Sequence, residues 1–99
     1  LPIIASGGIR SGRDVAKAIA LGASLTGIAR PALAPALKGS AEVKRKLSMT
    51  IDQLRSVMFL VGADSTEKLT SSPVVLTGKT AEWLRARGIR PEDYARRQI

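Results

Sequence analysis

A pair of adjacent glycines followed by an arginine is the feature of this chain best suited to bind a ligand. Gly7 and Gly8 come directly after the apolar run Ile3–Ala5, and Ile9 separates them from Arg10. Because glycine has no Cβ, this backbone can take positive φ angles and turn successive peptide N–H groups toward an anion. An arginine beside it adds a planar fork of charged donors. The segment therefore predicts a phosphate-binding loop.

The next residues predict a helix directly after this loop. Ser11 is a suitable N-cap with Asp14 at the third helical position, and the positive end of the helix dipole is expected to face the phosphate. Gly22 is the expected stop. Apolar side chains recur at helical spacing on one face, at Val15, Ala16, Ile19 and Ala20. A Gly-Gly pair alone also fits an ordinary tight turn, so the interpretation depends on a second loop.

A second strand and loop follow that helix. The stretch Ser24–Pro31 is typical of a short strand that ends in small residues and is followed by a basic residue, and Pro31 suits the first turn of a further helix. Pro31 also favours an extended backbone at Arg30, which aims the Arg30 side chain and the Ala29 N–H out of the strand's carboxyl end. Parallel strands with a right-handed crossover are implied, so both loops are expected at the same edge.

Two architectures place ligand loops at the carboxyl ends of parallel strands. One is an eight-stranded α/β barrel, in which the loops after the last two strands bind phosphate, and the other is an open doubly wound sheet. The spacing of the first loop does not match the G-x-G-x-x-G pattern of dinucleotide sites. The chain starts inside an apolar strand and without methionine. We therefore expect an α/β fold that is the carboxyl-terminal portion of a (β/α)8 TIM barrel plus a short helical extension.

The expected boundary lies at residue 62, with the last two β/α units over residues 1–62 and the extension over residues 63–99. A helix from about Glu42 to Val61, stopped by Gly62, is expected to cover the outside of the last strand. Its predicted packing residues are Val43, Leu47, Ile51, Leu54, Met58, Phe59 and Val61. The run Lys44–Lys46 is interpreted as a solvated face of this helix.

The extension is expected to contain only short elements. These are a helical turn over Ser65–Leu69, an extended stretch over Pro73–Gly78 and a helix over Thr80–Arg87 that ends at Gly88. Trp83 and Leu84 are expected to hold that last helix in place. The tail after Pro91 is polar and basic, so fraying is expected there.

Composition excludes several kinds of chemistry for these residues. There is no cysteine and no histidine, which excludes disulfides, zinc–thiolate sites and Cys-His or Ser-His catalysis within this chain. The formal net charge is +8, but base-stacking aromatics are limited to three residues. No nucleic-acid partner is therefore expected. No apolar run long enough for a bilayer and no signal-like segment occurs, so no membrane partner is expected and the cytoplasm is the expected location.

The residues described so far resemble one family, the FMN-dependent type 2 isopentenyl-diphosphate isomerases. Leu1–Gly12 and Asp14–Ala18 are similar to the seventh strand, flavin-phosphate loop and seventh helix of that barrel, and Gly27–Pro31 is similar to its eighth strand and second phosphate loop. Other FMN barrels, such as the 2-hydroxy-acid oxidases, share these early motifs, and IMP dehydrogenase does so more loosely.

The later part of the chain distinguishes the isomerases from the oxidases. The succession that resembles the isomerase carboxyl terminus is Leu54-Arg55, Met58–Ala63, Leu69, Pro73–Gly78, Glu82–Leu84 and Arg87–Ile89. Ser6 also stands where the oxidases have an aspartate. The resemblance covers roughly residues 1–89.

The resemblance implies site residues, a cofactor and partners. The residues that it assigns to the FMN phosphate are Gly7, Gly8, Ile9 and Arg10 in the first loop and Ala29 and Arg30 in the second. It implies that the complete enzyme is a homo-oligomer that interconverts isopentenyl diphosphate and dimethylallyl diphosphate. Reduced FMN would be the acid/base group, with Mg²⁺ on the substrate diphosphate and NADPH as reductant. The family's metal-binding glutamate, glutamine and lysine belong to earlier strands, so this chain is expected to hold no catalytic residue or metal ligand and to be inactive alone.

Two alternatives stay open from the sequence. The chain could be part of another FMN-dependent barrel enzyme of the 2-hydroxy-acid oxidase type. It could also be a non-catalytic module that binds polyanions or associates through an unpaired strand edge at Leu1–Ser6. If the chain is such a module, its ligand binding should depend steeply on salt concentration and should not favour FMN over riboflavin.

Overall fold

Two short parallel strands and six helices make up the chain, for which the computed structural model describes residues 1–99. The elements are β1 (Ile4–Ala5), α1 (Gly12–Ala20), β2 (Leu25–Thr26), α2 (Arg30–Lys38), α3 (Ser40–Val61), α4 (Thr66–Leu69), α5 (Gly78–Ala86) and α6 (Pro91–Ala95). Ile4 pairs with Leu25 and Ala5 with Thr26 in parallel register. The predicted α/β character and the strand–helix–strand order are confirmed. None of the helices combines the length and hydropathy needed to cross a membrane.

Helix α1 begins and ends where its sequence predicts. The Asp14 N–H donates to Ser11 Oγ at 3.4 Å, so Ser11 is the N-cap. After Ala20 the chain turns away through Gly22, whose φ is +114°. The small core lies between α1, the end of α3 and α4, and consists of Val15, Ala16, Ile19, Ala63 and Leu69.

A glycine allows α1 and α3 to pack very closely. A Cβ on Gly12 would lie 2.3 Å from both Leu54 N and Thr50 O, which is closer than any side chain can be. At the same point the Gly12 N–H donates to Gln53 Oε1 at 2.9 Å. Helix α3 therefore lies against the first turn of α1 with its backbone almost in contact.

The predicted position of the long helix is confirmed, with a start two residues earlier, but its packing differs from the prediction. It contacts α1 and α2 rather than covering the last strand. Leu54 and Met58 pack on the core, whereas Leu47, Ile51 and Phe59 are 45%, 49% and 84% exposed. The predicted stripe is therefore half wrong. Because the Gly12 contact turns the polar residues of α3 toward α1, apolar spacing alone misplaces the buried face.

The two strands are open to solvent in this chain. Ile3, Ile4 and Leu25 are 55%, 66% and 61% exposed. Each strand has only one hydrogen-bonded neighbour, so a two-stranded sheet leaves an edge and much of a face uncovered.

The helical turn and the helix predicted in the extension both form, with α5 starting at Gly78 rather than Thr80, but different side chains hold them. The Lys68 N–H donates to Ser65 Oγ at 3.1 Å, which caps α4. Ala81 is the buried residue of α5, while Trp83 is 61% exposed. The expectation that Trp83 holds α5 in place is wrong, since the small Ala81 side chain marks the face on which α5 packs.

The polar tail is docked rather than frayed. Pro91 is buried at the start of α6, and the Val74 N–H donates to Tyr94 O at 3.0 Å. The Arg97 guanidinium donates to three carbonyl oxygens, those of Ala20, Thr70 and Ser72, at 2.8, 3.0 and 2.6 Å. The Arg97 cation at the carboxyl end of α1 also interacts favourably with the negative end of the helix dipole. Tertiary hydrogen bonds thus order a segment whose composition predicted fraying.

Candidate anion-binding cleft

The two predicted loops meet in one open cleft beside the carboxyl ends of β1 and β2. The cleft has a volume of about 810 Å³. All six residues assigned from the sequence line it, namely Gly7, Gly8, Ile9, Arg10, Ala29 and Arg30, together with Ser6, Gly27, Ile28, Pro31 and Lys46. Because β1 and β2 are parallel, both loops leave the sheet at the same edge. The pairing of the two strands thus positions the site.

The first loop carries unused backbone donors. Gly7 and Gly8 have φ angles of +83° and +78°, in the left-handed region that favours glycine. A Cβ on either residue would meet nothing within 4 Å, so the backbone conformation, not lack of space, requires glycine here. The N–H groups of Gly7, Gly8 and Ile9 make no hydrogen bond within the chain. Such successive N–H groups form a concave nest suited to an anion.

Arg10 can offer only its side chain to a ligand in the cleft, because its backbone N–H is already hydrogen-bonded. The Arg10 N–H donates to Asp14 Oδ2 at 3.0 Å. This hydrogen bond is the main cause that holds the pKa of the Asp14 carboxyl below its ordinary value, with a smaller contribution from the charge of Lys17. The loop is thereby tied to the first turn of α1. The guanidinium of Arg10 forms no ion pair within the chain and lies exposed.

The helix end at the cleft is that of α2, whereas the sequence indicated α1. Two first-turn donors of α1 are already used, since the Gly12 N–H donates to Gln53 and the Asp14 N–H donates to Ser11. Gly12 does not line the cleft. By contrast, Arg30 and Pro31, the first two residues of α2, do line it, and no side chain caps that helix. The positive end of the α2 dipole therefore lies at the cleft.

The backbone at Arg30 also differs from the sequence prediction. Helix α2 begins at Arg30, so this residue is the first helical one rather than an extended one. The fixed φ of Pro31 suits the first turn and so does not prevent the helix from starting one residue before it. The Ala29 N–H makes no hydrogen bond within the chain. The second loop therefore adds the Ala29 N–H and the Arg30 guanidinium to the cleft.

Lys46 is a cleft residue that the sequence analysis missed. It was grouped with Lys44 on a solvated face, yet it lines the cleft and its Nζ donates to Arg10 O at 3.4 Å. No local signal identifies it: Lys46 lies four and seven residues before Thr50 and Gln53, but only the structure shows that these two residues contact α1. Lys46 therefore shares the helix face that packs on α1.

The charges of the cleft are of one sign. Its ionisable lining residues are Arg10, Arg30 and Lys46, and none of them forms an ion pair within the chain. Charges of one sign gathered in a concave site concentrate the potential and attract an oppositely charged group. Free backbone donors, a helix N-terminus and three cations together fit a phosphate monoester.

Known proteins are similar to this chain in sequence. Residues 1–76 match the family model described as FMN-dependent dehydrogenase. The chain is 50% identical over 97 residues to a protein of Methanothermobacter thermautotrophicus named isopentenyl-diphosphate delta-isomerase, which is 98% of this chain and 28% of the relative. Proteins with the same name from Methanosarcina barkeri and Pyrococcus furiosus are 52% and 51% identical over 96% and 88% of this chain, and 26% and 22% of their own lengths.

The chain thus spans about a quarter of the length of the curated relatives it matches. The matches confirm the resemblance that the two loops and the later motifs indicated. On the match over residues 1–76, the chain belongs to the FMN-dependent dehydrogenase family.

Proposed function

We propose that this chain forms the FMN-phosphate-binding part of an isomerase that interconverts isopentenyl diphosphate and dimethylallyl diphosphate. The observation that carries the proposal is the convergence of the two loops in one cleft whose ionisable lining residues are all cations. Membership of a family described as FMN-dependent supports a flavin as the ligand of the cleft. Relatives that are about 50% identical to this chain over the matched quarter of their length and carry the isomerase name support the reaction.

The proposed place of the chain is the end of a (β/α)8 barrel. Residues 1–62 form its last two β/α units and residues 63–99 its carboxyl-terminal extension. The parallel pair of strands with ligand loops at the carboxyl edge supports this placement. The exposure of Ile4 and Leu25 supports it as well, since neighbouring strands and the barrel interior cover such side chains in a closed barrel.

Each proposed contact follows from the chemistry of the residue. The N–H groups of Gly7, Gly8, Ile9 and Ala29 donate to phosphate oxygens, and the guanidinium groups of Arg10 and Arg30 add charge-assisted hydrogen bonds. Reduced FMN, when bound, supplies the acid/base chemistry of the isomerisation. The role of this chain is to hold the non-reacting end of the cofactor, which fixes its orientation.

The other implications of the resemblance stay predictions. They are Mg²⁺ on the substrate diphosphate, NADPH as reductant, a homo-oligomeric state and a cytoplasmic location. No residue of this chain is assigned to the metal or to a catalytic role.

An isomerase assay of the full-length protein tests the proposed function. With reduced FMN present, we expect isopentenyl diphosphate to be converted to dimethylallyl diphosphate, and we expect the isolated 99 residues to show no turnover. The Arg30→Ala variant is expected to need a higher FMN concentration for half-maximal activity. Oxidation of a 2-hydroxy acid without any isomerisation would replace the proposal with the oxidase alternative.

A further inference from the structure

We propose that Lys46 of α3 is a specificity-determining residue of the cleft, whose ammonium group binds the phosphate and so favours FMN over unphosphorylated riboflavin. The inference rests on the proposed function, because it concerns the same cleft. Lys46 lies outside both loops that the sequence motifs assign to the phosphate, and a different element carries it.

The packing of α3 on α1 places Lys46 at the cleft. Gly12 lets the two helices approach, and its N–H holds Gln53 at 2.9 Å. Thr50, which is 6% exposed, donates its hydroxyl hydrogen to Lys46 O at 2.9 Å. Gln53, Thr50 and Lys46 therefore form one helix face that continues from the buried contact to the cleft. Lys46 is half-buried, whereas Lys44 is exposed.

The hydrogen bonding of Lys46 leaves it able to bind an anion. Its Nζ donates one bond, to Arg10 O at 3.4 Å, which is long for such a bond. An ammonium group has three donors, so two stay available. A phosphate oxygen is a stronger partner for it than a neutral carbonyl, because both groups are then charged. Lys46 can thus bind phosphate while it stays close to the first loop, or leave Arg10 O for the phosphate.

Lys46 belongs to a different element from the other two cations of the cleft. Arg10 and Arg30 belong to the two strand-end loops, whereas Lys46 approaches from the helix that packs on α1 and α2. An anion bound by all three is held from three elements of the fold. Loss of Lys46 should therefore weaken binding of the phosphorylated flavin and leave the isoalloxazine contacts unchanged.

Flavin-fluorescence titrations of the full-length protein, stripped of flavin, test this inference. Lys46→Met keeps most of the apolar stem and removes the charge, and Lys44→Met is the matched control, with the same charge change outside the cleft. We expect Lys46→Met to weaken FMN binding about tenfold or more, as the loss of a charge-assisted hydrogen bond implies, with riboflavin binding unchanged. Lys44→Met should leave both affinities as they are.

Salt dependence gives a second readout. The dependence of FMN affinity on ionic strength should become shallower in Lys46→Met and stay the same in Lys44→Met, because only the former removes a cation that contacts the phosphate. Lys46→Gln, a polar replacement of similar length, controls for any change in packing that the methionine side chain causes. It should weaken FMN binding in the same way.

The outcomes separate this inference from the proposed function. Equal FMN affinity in Lys46→Met and Lys44→Met would overturn the role of Lys46, as would an equal loss for FMN and riboflavin, which indicates a structural effect. If the unmodified protein itself binds FMN no better than riboflavin, the proposed function fails. If the unmodified protein prefers FMN and Arg30→Ala reduces that preference while Lys46→Met does not, only the inference about Lys46 fails.

Discussion

Replacement of Gly12 by alanine should destabilise the protein by a predictable amount. An alanine Cβ would lie 2.3 Å from Leu54 N and from Thr50 O, while ordinary contacts begin at 3.4 Å. Both atoms belong to the α3 backbone, so the helix has to move away by roughly 1 Å, and such overpacking costs about 1–3 kcal/mol. Strain on the hydrogen bond from the Gly12 N–H to Gln53 adds about 1 kcal/mol.

One effect opposes this cost. Alanine is a better helix former than glycine by up to about 1 kcal/mol. The net expectation for Gly12→Ala is a loss of about 2 kcal/mol in the free energy of unfolding, together with weaker FMN binding, since the shift of α3 also moves Lys46. Urea unfolding of the full-length protein measures the first quantity from the transition midpoint at unchanged slope.

Arg13→Ala is the matched control for this experiment. Arg13 is the next residue of α1, is exposed and does not line the cleft. Its replacement should change the free energy of unfolding by less than about 0.5 kcal/mol. If Gly12→Ala is as stable as the unmodified protein, α1 and α3 do not pack as closely as the structure has them, and the reasoning that positions Lys46 is refuted.

Three further changes test other parts of the structure. Leu69→Ala should lower the free energy of unfolding by about 2–5 kcal/mol, because Leu69 is a core residue with only 2% of its surface exposed, and a loss in urea unfolding below about 1 kcal/mol would contradict this. Arg97→Ala should speed amide hydrogen exchange over residues 91–99, since three carbonyl contacts are lost; unchanged protection would show that Arg97 does not hold the tail. The Arg10 N–H holds the pKa of Asp14 below its ordinary value of about 4. The ionised carboxylate therefore stabilises the fold fully at any pH above that ordinary value. This contribution disappears as the pH falls through the lowered pKa. Stability of Asp14→Asn should therefore fall less steeply than that of the unmodified protein between about pH 5 and pH 3, and equal slopes would contradict the role of this hydrogen bond.

The elements that the sequence predicted well are those set by local signals. Ser11 and Gly22 mark the two ends of α1, and Ser65 marks the start of α4, because caps and stops depend on residues within one turn. The conformation of the first loop was also predictable, because its two adjacent glycines favour the positive φ angles that both positions adopt. The six proposed phosphate residues were brought together in one cleft by this local information and the parallel pairing of the strands.

The features that the sequence did not reveal depend on residues far apart in the chain. Lys46 meets Arg10 across 36 positions and Arg97 meets Ala20 across 77, and no local pattern carries these contacts. The buried face of α3 was half wrong for the same reason, since the close contact with Gly12 sets it. The polar composition of the tail likewise does not predict that Arg97 donates hydrogen bonds to carbonyl oxygens of distant segments.

The most direct test of the central claim is a comparison of FMN and riboflavin binding by the full-length protein, with Arg30→Ala measured alongside. If the two loops bind the phosphate, FMN should bind at least about a hundredfold more tightly than riboflavin, since several charge-assisted hydrogen bonds are involved, and Arg30→Ala should reduce that preference. Equal affinities for the two flavins, unaffected by Arg30→Ala, would contradict the assignment of this cleft to the cofactor phosphate.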